Sequence, residues 1–440
     1  MMLKENIKAQ LPAWQDRVKK LVKESGDVKV GEVTISQVYG GMRGVKSLVT
    51  DISSVDPGEG IRLRGYTISE LVDLLPKLPG AEMPLVGGLY FLLLTGDIPS
   101  LAEAQEVEDE WNRRGQVPDH VIDVLKSMPS ETPAMTMFSI AIMALQSESL
   151  FTGKYNEGIR KEEYWEYTLE DSLNLTAKLP TLAAMIYHVR GKRTGDYTID
   201  PKLDWSANFA RMMGVTEPDF IDLSRLYFII HSDHESGNVS AHATHMVGST
   251  LSDIYLAASA GLNGLAGPLH GKANQESLDW LLKVYERYGR VPARDELYQF
   301  AWDTLKSGQV IPGYGHAILR ITDPRFIALY DYGNKHFPDD GLFKLACMVY
   351  DVVPKVLMEQ GKAKDPWPNV DSISGSLLHH YQINDCEGSS CGFYTVMFGV
   401  SRILGVSSNM VWARALGQPL ERPKSLTTAE LEEIASRVTA

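Results

Sequence analysis

The chain has 440 residues, with 43 Lys+Arg against 56 Asp+Glu and a formal net charge of −13. That length allows two or three domains, or one large core with a satellite, and so a deep cleft that excludes water. The acidic balance argues against nucleic acid and anionic membranes as partners, so an anionic ligand has to be held by local arginines.

Residues 1–25 place Leu11, Trp14, Val18, Leu21 and Val22 on one face of a helix that Gly26 ends. Alternation through Val28, Val30, Val33 and Ile35, then Leu48 and Ile52, then Ile61 and Leu63, predicts short strands and turns. Thr67-x-x-Glu70 has capping-box spacing. From there the pattern is helical almost to the end: 84–95, 101–114, 134–148, 162–190, 206–213, 217–231, 240–260, 274–288, 295–307, 324–336, 341–360, 374–382, 393–404 and 408–416. Gly214, Gly289, Gly308 and Gly405 fall where helix C-termini favour glycine. The expected fold class is all-α, with a minor β hairpin near the N-terminus.

The longest apolar runs, 84–94 and 134–145, are shorter than the roughly 20 residues a membrane helix needs. Cys347, Cys386 and Cys391 form no C-x-x-C pair and fit free thiols in a reducing compartment. The first residues lack both an apolar signal block and an Arg/Ser-rich, acid-poor presequence. A soluble cytoplasmic protein is the expectation, with a processed mitochondrial-matrix form as the alternative.

Residues 311–325, Ile-Pro-Gly-Tyr-Gly-His-Ala-Ile-Leu-Arg-Ile-Thr-Asp-Pro-Arg, gather the chemistry most densely. Gly313 and Gly315 let the loop approach a ligand and fix His316. Asp323-Pro324 reads as an N-cap and first helical position, so Arg325 sits in a first turn that favours anions. His316, Arg320 and Arg325 could form one site for an anionic, proton-exchanging ligand, or a surface loop with solvated arginines. A second cluster holds His231, His234, His242 and His245. Their i,i+3 spacings could line a helix face as metal ligands, although no metal signature with a base at the expected offset is present. A ligand-binding loop with one or two functional histidines is the other reading.

Three more segments stand out. His270, in Gly-Pro-Leu-His-Gly, precedes a helix whose positive end disfavours imidazolium, so it reads as a neutral hydrogen-bond donor to an oxyanion, or as a helix cap. Asp371 follows the rigid Trp-Pro-Asn-Val arm, as a general base or an N-cap. Arg402, on an apolar helix, wants an anionic partner, and Arg422 sits in Leu-Glu-Arg-Pro.

Taken in order, His234-Glu235, Gly-Pro-Leu-His270-Gly, Pro-Gly-Tyr-Gly-His316-Ala, Asp-Pro-Arg325, Pro-Asn-Val-Asp371, Ser-Arg402 and Glu-Arg422-Pro resemble the citrate synthase family, nearest the animal and mitochondrial type. The resemblance runs from Gly40 to Ser425. It implies a two-domain helical homodimer, with residues 1–270 and 379–440 as the large domain and 271–378 as a small domain that closes over the site. It implies condensation of acetyl-CoA with oxaloacetate to citrate and CoA, with His270, His316 and Asp371 as catalytic residues. Oxaloacetate would be bound by His234, Asn238, Ser240, Arg325 and Arg402, with Arg422 reaching into the partner subunit's site. CoA would be met by Arg43, Lys161, Val310, Gly313, Tyr314, Gly315, Arg320, Lys364 and Asn369. No cofactor, metal or NADH site is expected. Lys161, Ser236 and Ile373 depart from residues common in the family. The rival functions are 2-methylcitrate synthesis from propionyl-CoA and, in another class, metal-dependent hydrolysis by the His231–His245 cluster.

Overall fold

The computed structural model describes residues 1–383 and 392–439. Cys386 and Cys391 lie outside the described residues, and Cys347 is a free thiol. The order opens α1 (Met2–Ser25), α2 (Ile35–Tyr39), β1 (Ser53–Asp56), β2 (Gly60–Leu63), β3 (Tyr66–Thr67), α3 (Ile68–Leu74), α4 (Val86–Thr95), α5 (Leu101–Arg114), α6 (Asp119–Ser127) and α7 (Ala134–Ala144). It continues with α8 (Leu150–Asn156), α9 (Tyr164–Arg190), α10 (Trp205–Met213), α11 (Pro218–Ile230), α12 (Val239–Ser249) and α13 (Ile254–Leu265). The remainder is α14 (Ala273–Tyr288), α15 (Arg294–Lys306), α16 (Pro324–His336), α17 (Gly341–Gln360), α18 (Asp371–His380), α19 (Phe393–Ala415) and α20 (Thr428–Thr439). The class is therefore helical, with one three-stranded antiparallel sheet in the order β1-β2-β3.

The core is built around α9 and α19, which pack together and are buried over most of their lengths. Both helices are surrounded by others, and the buried polar groups of α9 are paired, Asp171 accepting from Ser149 and the Leu150 N–H. Helices α14 to α18 pack mainly on one another, α14 on α18 and α15 on α17.

Several elements differ from the sequence reading. The valines at 28, 30 and 33 form no strand; they stay exposed, and Thr34 caps the short α2 through a box with Gln37. Alternation without a partner strand does not make a sheet. The helix expected over 240–260 is two, because Asp253 accepts from the Leu256 N–H and starts α13 afresh. The helices expected at 393–404 and 408–416 are one. Gly405 is no helix end: a Cβ there would lie 2.4 Å from the Ser232 carbonyl oxygen, so this glycine lets α19 touch the His234 loop. Gly214 and Gly289 do cap helices in the left-handed conformation. Helices α6, α8 and α20 were not anticipated.

The small sheet organises the site. Ser53 of β1 donates to Asp233 Oδ2 (2.7 Å) and accepts from the Glu235 N–H (2.7 Å), while Glu235 Oε1 accepts from the Val55 N–H (2.7 Å). On the other side, the Arg320 N–H donates to the Pro57 carbonyl (2.8 Å), and a Cβ on Gly60 would sit 2.4 Å from Pro324 Cγ. One hairpin thus braces the loop carrying His234 and the loop carrying His316 and Arg325.

Candidate active site

The His316 loop is fastened to the arm that carries Asp371. Tyr314 and Pro368 form an isolated antiparallel bridge, the Gly315 N–H donates to Trp367 O (3.1 Å), and the Asn369 N–H donates to Gly313 O (2.9 Å). Asn369 Nδ2 adds a bond to Gly315 O (3.0 Å), so Asn369 acts here as a clip. Gly313 has φ +76°, and a Cβ on it would fall 2.6 Å from Ser372 Cα. Only glycine fits this position.

Beyond the clip, His316 Nδ1 accepts from the N–H groups of Ile318 (3.0 Å) and Leu319 (2.9 Å). Nδ1 therefore carries no proton, and the ring presents Nε2–H. Its ring lies 5.3 Å from that of His234. Burial, with the charge of Arg325, lowers the His316 imidazole to about 4, and burial with Arg325, His316 and Arg402 holds His234 well below its ordinary value. Both are neutral at pH 7.

Arg325 and Arg402 supply the positive charge. Asp323 caps α16 as the sequence predicts, and it also grips Arg325: Nη2 lies 2.7 Å from Asp323 Oδ2 and Nε 3.1 Å from both oxygens. Arg402, 2% exposed, donates from Nη1 to Asn238 Oδ1 (3.0 Å) and Ser240 Oγ (3.3 Å), and from Nε to His231 O (3.3 Å). Among the described residues it has no ion pair within 4.0 Å, and burial lowers it to about 10. A buried guanidinium held only by neutral groups is a seat for an anion.

Asn238 ties this seat together. It is the N-cap of α12; Oδ1 accepts from the Ala241 N–H (3.1 Å), the Ser240 hydroxyl (2.7 Å) and Arg402, and Nδ2 donates to His234 O (2.6 Å) and Glu235 O (2.8 Å). Its polar atoms are occupied, so it shapes the site from within. His270 joins through Nε2, which meets the Ser240 N–H (3.3 Å) and hydroxyl (3.0 Å). With Nε2 as acceptor, the His270 proton is assigned to Nδ1. Burial, helped by Arg402, lowers it to about 4. The neutrality expected from a helix dipole is thus explained by burial and a neighbouring cation.

Asp371 is the first residue of α18. Its Oδ1 is buried without a hydrogen-bond partner, and burial pushes the carboxyl up to about 7 against the pull of Arg325 and Arg402. A carboxylate raised this far and left unpartnered is poised to take a proton.

Beside the His316 loop opens a cleft of roughly 470 Å³, lined by Val310, Tyr314, Gly315, His316 and Lys364 among others. Lys362 and Gln360 line it too and were not anticipated; their signal was the basic Gly-Lys-Ala-Lys run just past the left-handed C-cap Gly361. Arg320, expected beside a phosphate, turns its Nη1 onto its own loop's carbonyls, Ile318 O at 2.9 Å among them. Such a rim of carbonyls satisfies a guanidinium when no anion is near. Arg43, Lys161 and Arg422 are exposed, and among the described residues Arg422 makes no hydrogen bond or ion pair with the cluster.

The four clustered histidines part company. His231 stacks on Tyr227 at 4.1 Å and faces Tyr227 O, whereas His242 and His245 turn to Glu421 at 2.7 and 3.8 Å. Among the described residues, no three His, Cys, Asp or Glu side chains are grouped to hold a metal ion.

Comparison with known proteins agrees with this architecture. The fold resembles citrate synthases from Pyrobaculum aerophilum (TM-score 0.76, 23% identity, 91% of this chain and 95% of that one) and Thermotoga maritima (TM-score 0.71, 22%, 90% and 96%). In sequence, the chain is 51% identical to a probable mitochondrial citrate synthase of Glossina morsitans morsitans over 99% of its own length and 93% of the relative. It is also 51% identical to the mitochondrial citrate synthase of Xiphias gladius over 97% and 90%. The family described as "Citrate synthase, C-terminal domain" matches residues 41–424, and the chain belongs to the citrate synthase family.

Proposed function

We propose that the protein condenses acetyl-CoA with oxaloacetate and hydrolyses the resulting thioester to citrate and CoA. The observation that carries this reading is the buried Asp371 carboxyl, its Oδ1 without a hydrogen-bond partner among the described residues, raised to about 7 at a site with two buried arginines and three neutral histidines. Asp371 takes a methyl proton from acetyl-CoA, while the His270 Nδ1–H donates to the thioester oxygen. Proton removal from so weak an acid needs that oxygen stabilised at the same moment. The new carbon nucleophile attacks the oxaloacetate ketone, whose oxygen His316 Nε2–H polarises and protonates. Arg325 and Arg402 hold the substrate carboxylates, with His234 beside them, and Asn238 and Ser240 keep Arg402 and His270 in place.

CoA lies along the cleft at Val310, Tyr314, Gly315 and Lys364, with Lys362 as a further cation, while Gly313 stands behind the cleft, packed on Ser372. Arg43, Lys161 and Arg320 reach its phosphates once ordered by them. The active unit is a homodimer in which Arg422 completes the partner's site, and residues 271–378 close as a small domain over the substrates. The mitochondrial names of the relatives favour the matrix over the cytoplasm.

Free-thiol release from acetyl-CoA, run with and without oxaloacetate and repeated with propionyl-CoA, tests the reading. Oxaloacetate-dependent release with acetyl-CoA preferred is expected. A propionyl preference would move the assignment to 2-methylcitrate synthesis, a difference of only about 1–3 kcal/mol in transition-state binding.

A further inference from the structure

The segment between α19 and α20 contains no helix or strand and is bracketed by Pro419 and Pro423. Among the described hydrogen bonds, those of residues 419–426 are all made by Glu421. Its N–H donates to Ser249 Oγ (3.0 Å), and its Oε1 pairs with His242 Nε2 (2.7 Å). Oε2 faces His245 Nε2 at 3.8 Å and is otherwise buried without a partner. His242, His245 and Ser249 stand at i, i+3 and i+7 on α12, so one helix face makes a socket for one glutamate. The next residue is Arg422, which is exposed and makes no ion pair among the described residues. The same helix begins with Asn238 and Ser240, which hold Arg402 and His270.

We propose that Glu421 is a positioning residue: seated on His242, His245 and Ser249, it fixes the arm that presents Arg422 to the partner subunit's oxaloacetate. This rests on the proposed role of Arg422. The neighbouring residue is pinned by a half-buried carboxylate, leaving Arg422 only its own side-chain freedom when it meets its anion. An arm without the seat would have to be ordered by the substrate itself, and that ordering cost would appear in substrate affinity.

Steady-state kinetics of the full chain with Glu421→Ala, Glu421→Gln and Arg422→Ala tests this. Glu421→Ala should raise the oxaloacetate KM roughly tenfold, the worth of one charge-assisted hydrogen bond, with the acetyl-CoA KM and the melting temperature little changed. Glu421→Gln keeps an acceptor for His242 and should recover most of that loss. If Arg422→Ala raises the oxaloacetate KM while Glu421→Ala does not, the seat is overturned and the role of Arg422 stands. If Arg422→Ala leaves that KM unchanged, the reading of Arg422 fails and the inference with it. Equal loss in both Glu421 variants, or a fall in melting temperature matching the kinetic loss, would make Glu421 merely structural.

Discussion

The carboxyl of Asp371 pays for its reactivity in stability. Its value of about 7 in the folded chain exceeds the ordinary 3.8, so folding holds a proton there that the unfolded chain has lost. The stabilisation from that proton is complete below pH 3.8 and gone once pH rises past 7. Asp371→Asn should therefore melt higher than the parent protein, with a wider margin at pH 8 than at pH 5. Thermal melts at the two pH values check this, and an equal margin at both would contradict the raised carboxyl. The same group sets the acid limb of catalysis: kcat/KM should fall tenfold per pH unit below about 7, because the base must be ionised, and His270 and His316 stay neutral down to about 4. A profile flat between pH 5 and 7 would exclude Asp371 as the base.

The residues proposed to carry the chemistry stand out in the sequence because each sits beside something rigid and local: Gly-Tyr-Gly before His316, Pro-Asn-Val before Asp371, Asp-Pro before Arg325. What was not legible was where the long polar side chains come to rest. Nothing near Arg320 in the chain foretold that its guanidinium would fold back on its own loop, or that Asn238 would be saturated by Arg402, 164 residues away.

Among elements, the bridge of residues 313–315 to 367–369 matters most, because it makes the His316 loop and the Asp371 helix one body. Gly313→Ala would push a methyl into Ser372 and strain a positive φ, at a cost of about 1–3 kcal/mol. Both the melting temperature and kcat should fall; unchanged kcat in a destabilised variant would show that the bridge does not align the two groups. Long helices were readable, α9 and α17 among them. The break at Asp253 was not, since the Ala- and Gly-rich stretch around it reads as continuous helix until the cap is seen accepting its bond. The valines at 28–33 misled for the converse reason, carrying strand chemistry without a strand to pair with.

At the scale of the molecule, the proposed homodimer gives the exposed Arg422 a partner subunit's site to complete, while the exposed Arg43 and Lys161 are left for the proposed CoA phosphates. Size-exclusion chromatography with light scattering should give twice the 48.9 kDa of one chain. Small-angle scattering should show contraction when oxaloacetate and an unreactive acetyl-CoA analogue are added together, as residues 271–378 close. A monomer that turns over at full rate would contradict the shared site.

In the proposed reaction Asp371, supported by His270 and His316, starts the condensation. The direct measurement is oxaloacetate-dependent release of CoA thiol from acetyl-CoA by the parent protein and by Asp371→Asn at the same pH. Brisk release by the parent and a loss of at least about a hundredfold in the variant are expected, the scale on which a general base acts. Release by folded Asp371→Asn at the parent's rate would contradict that role.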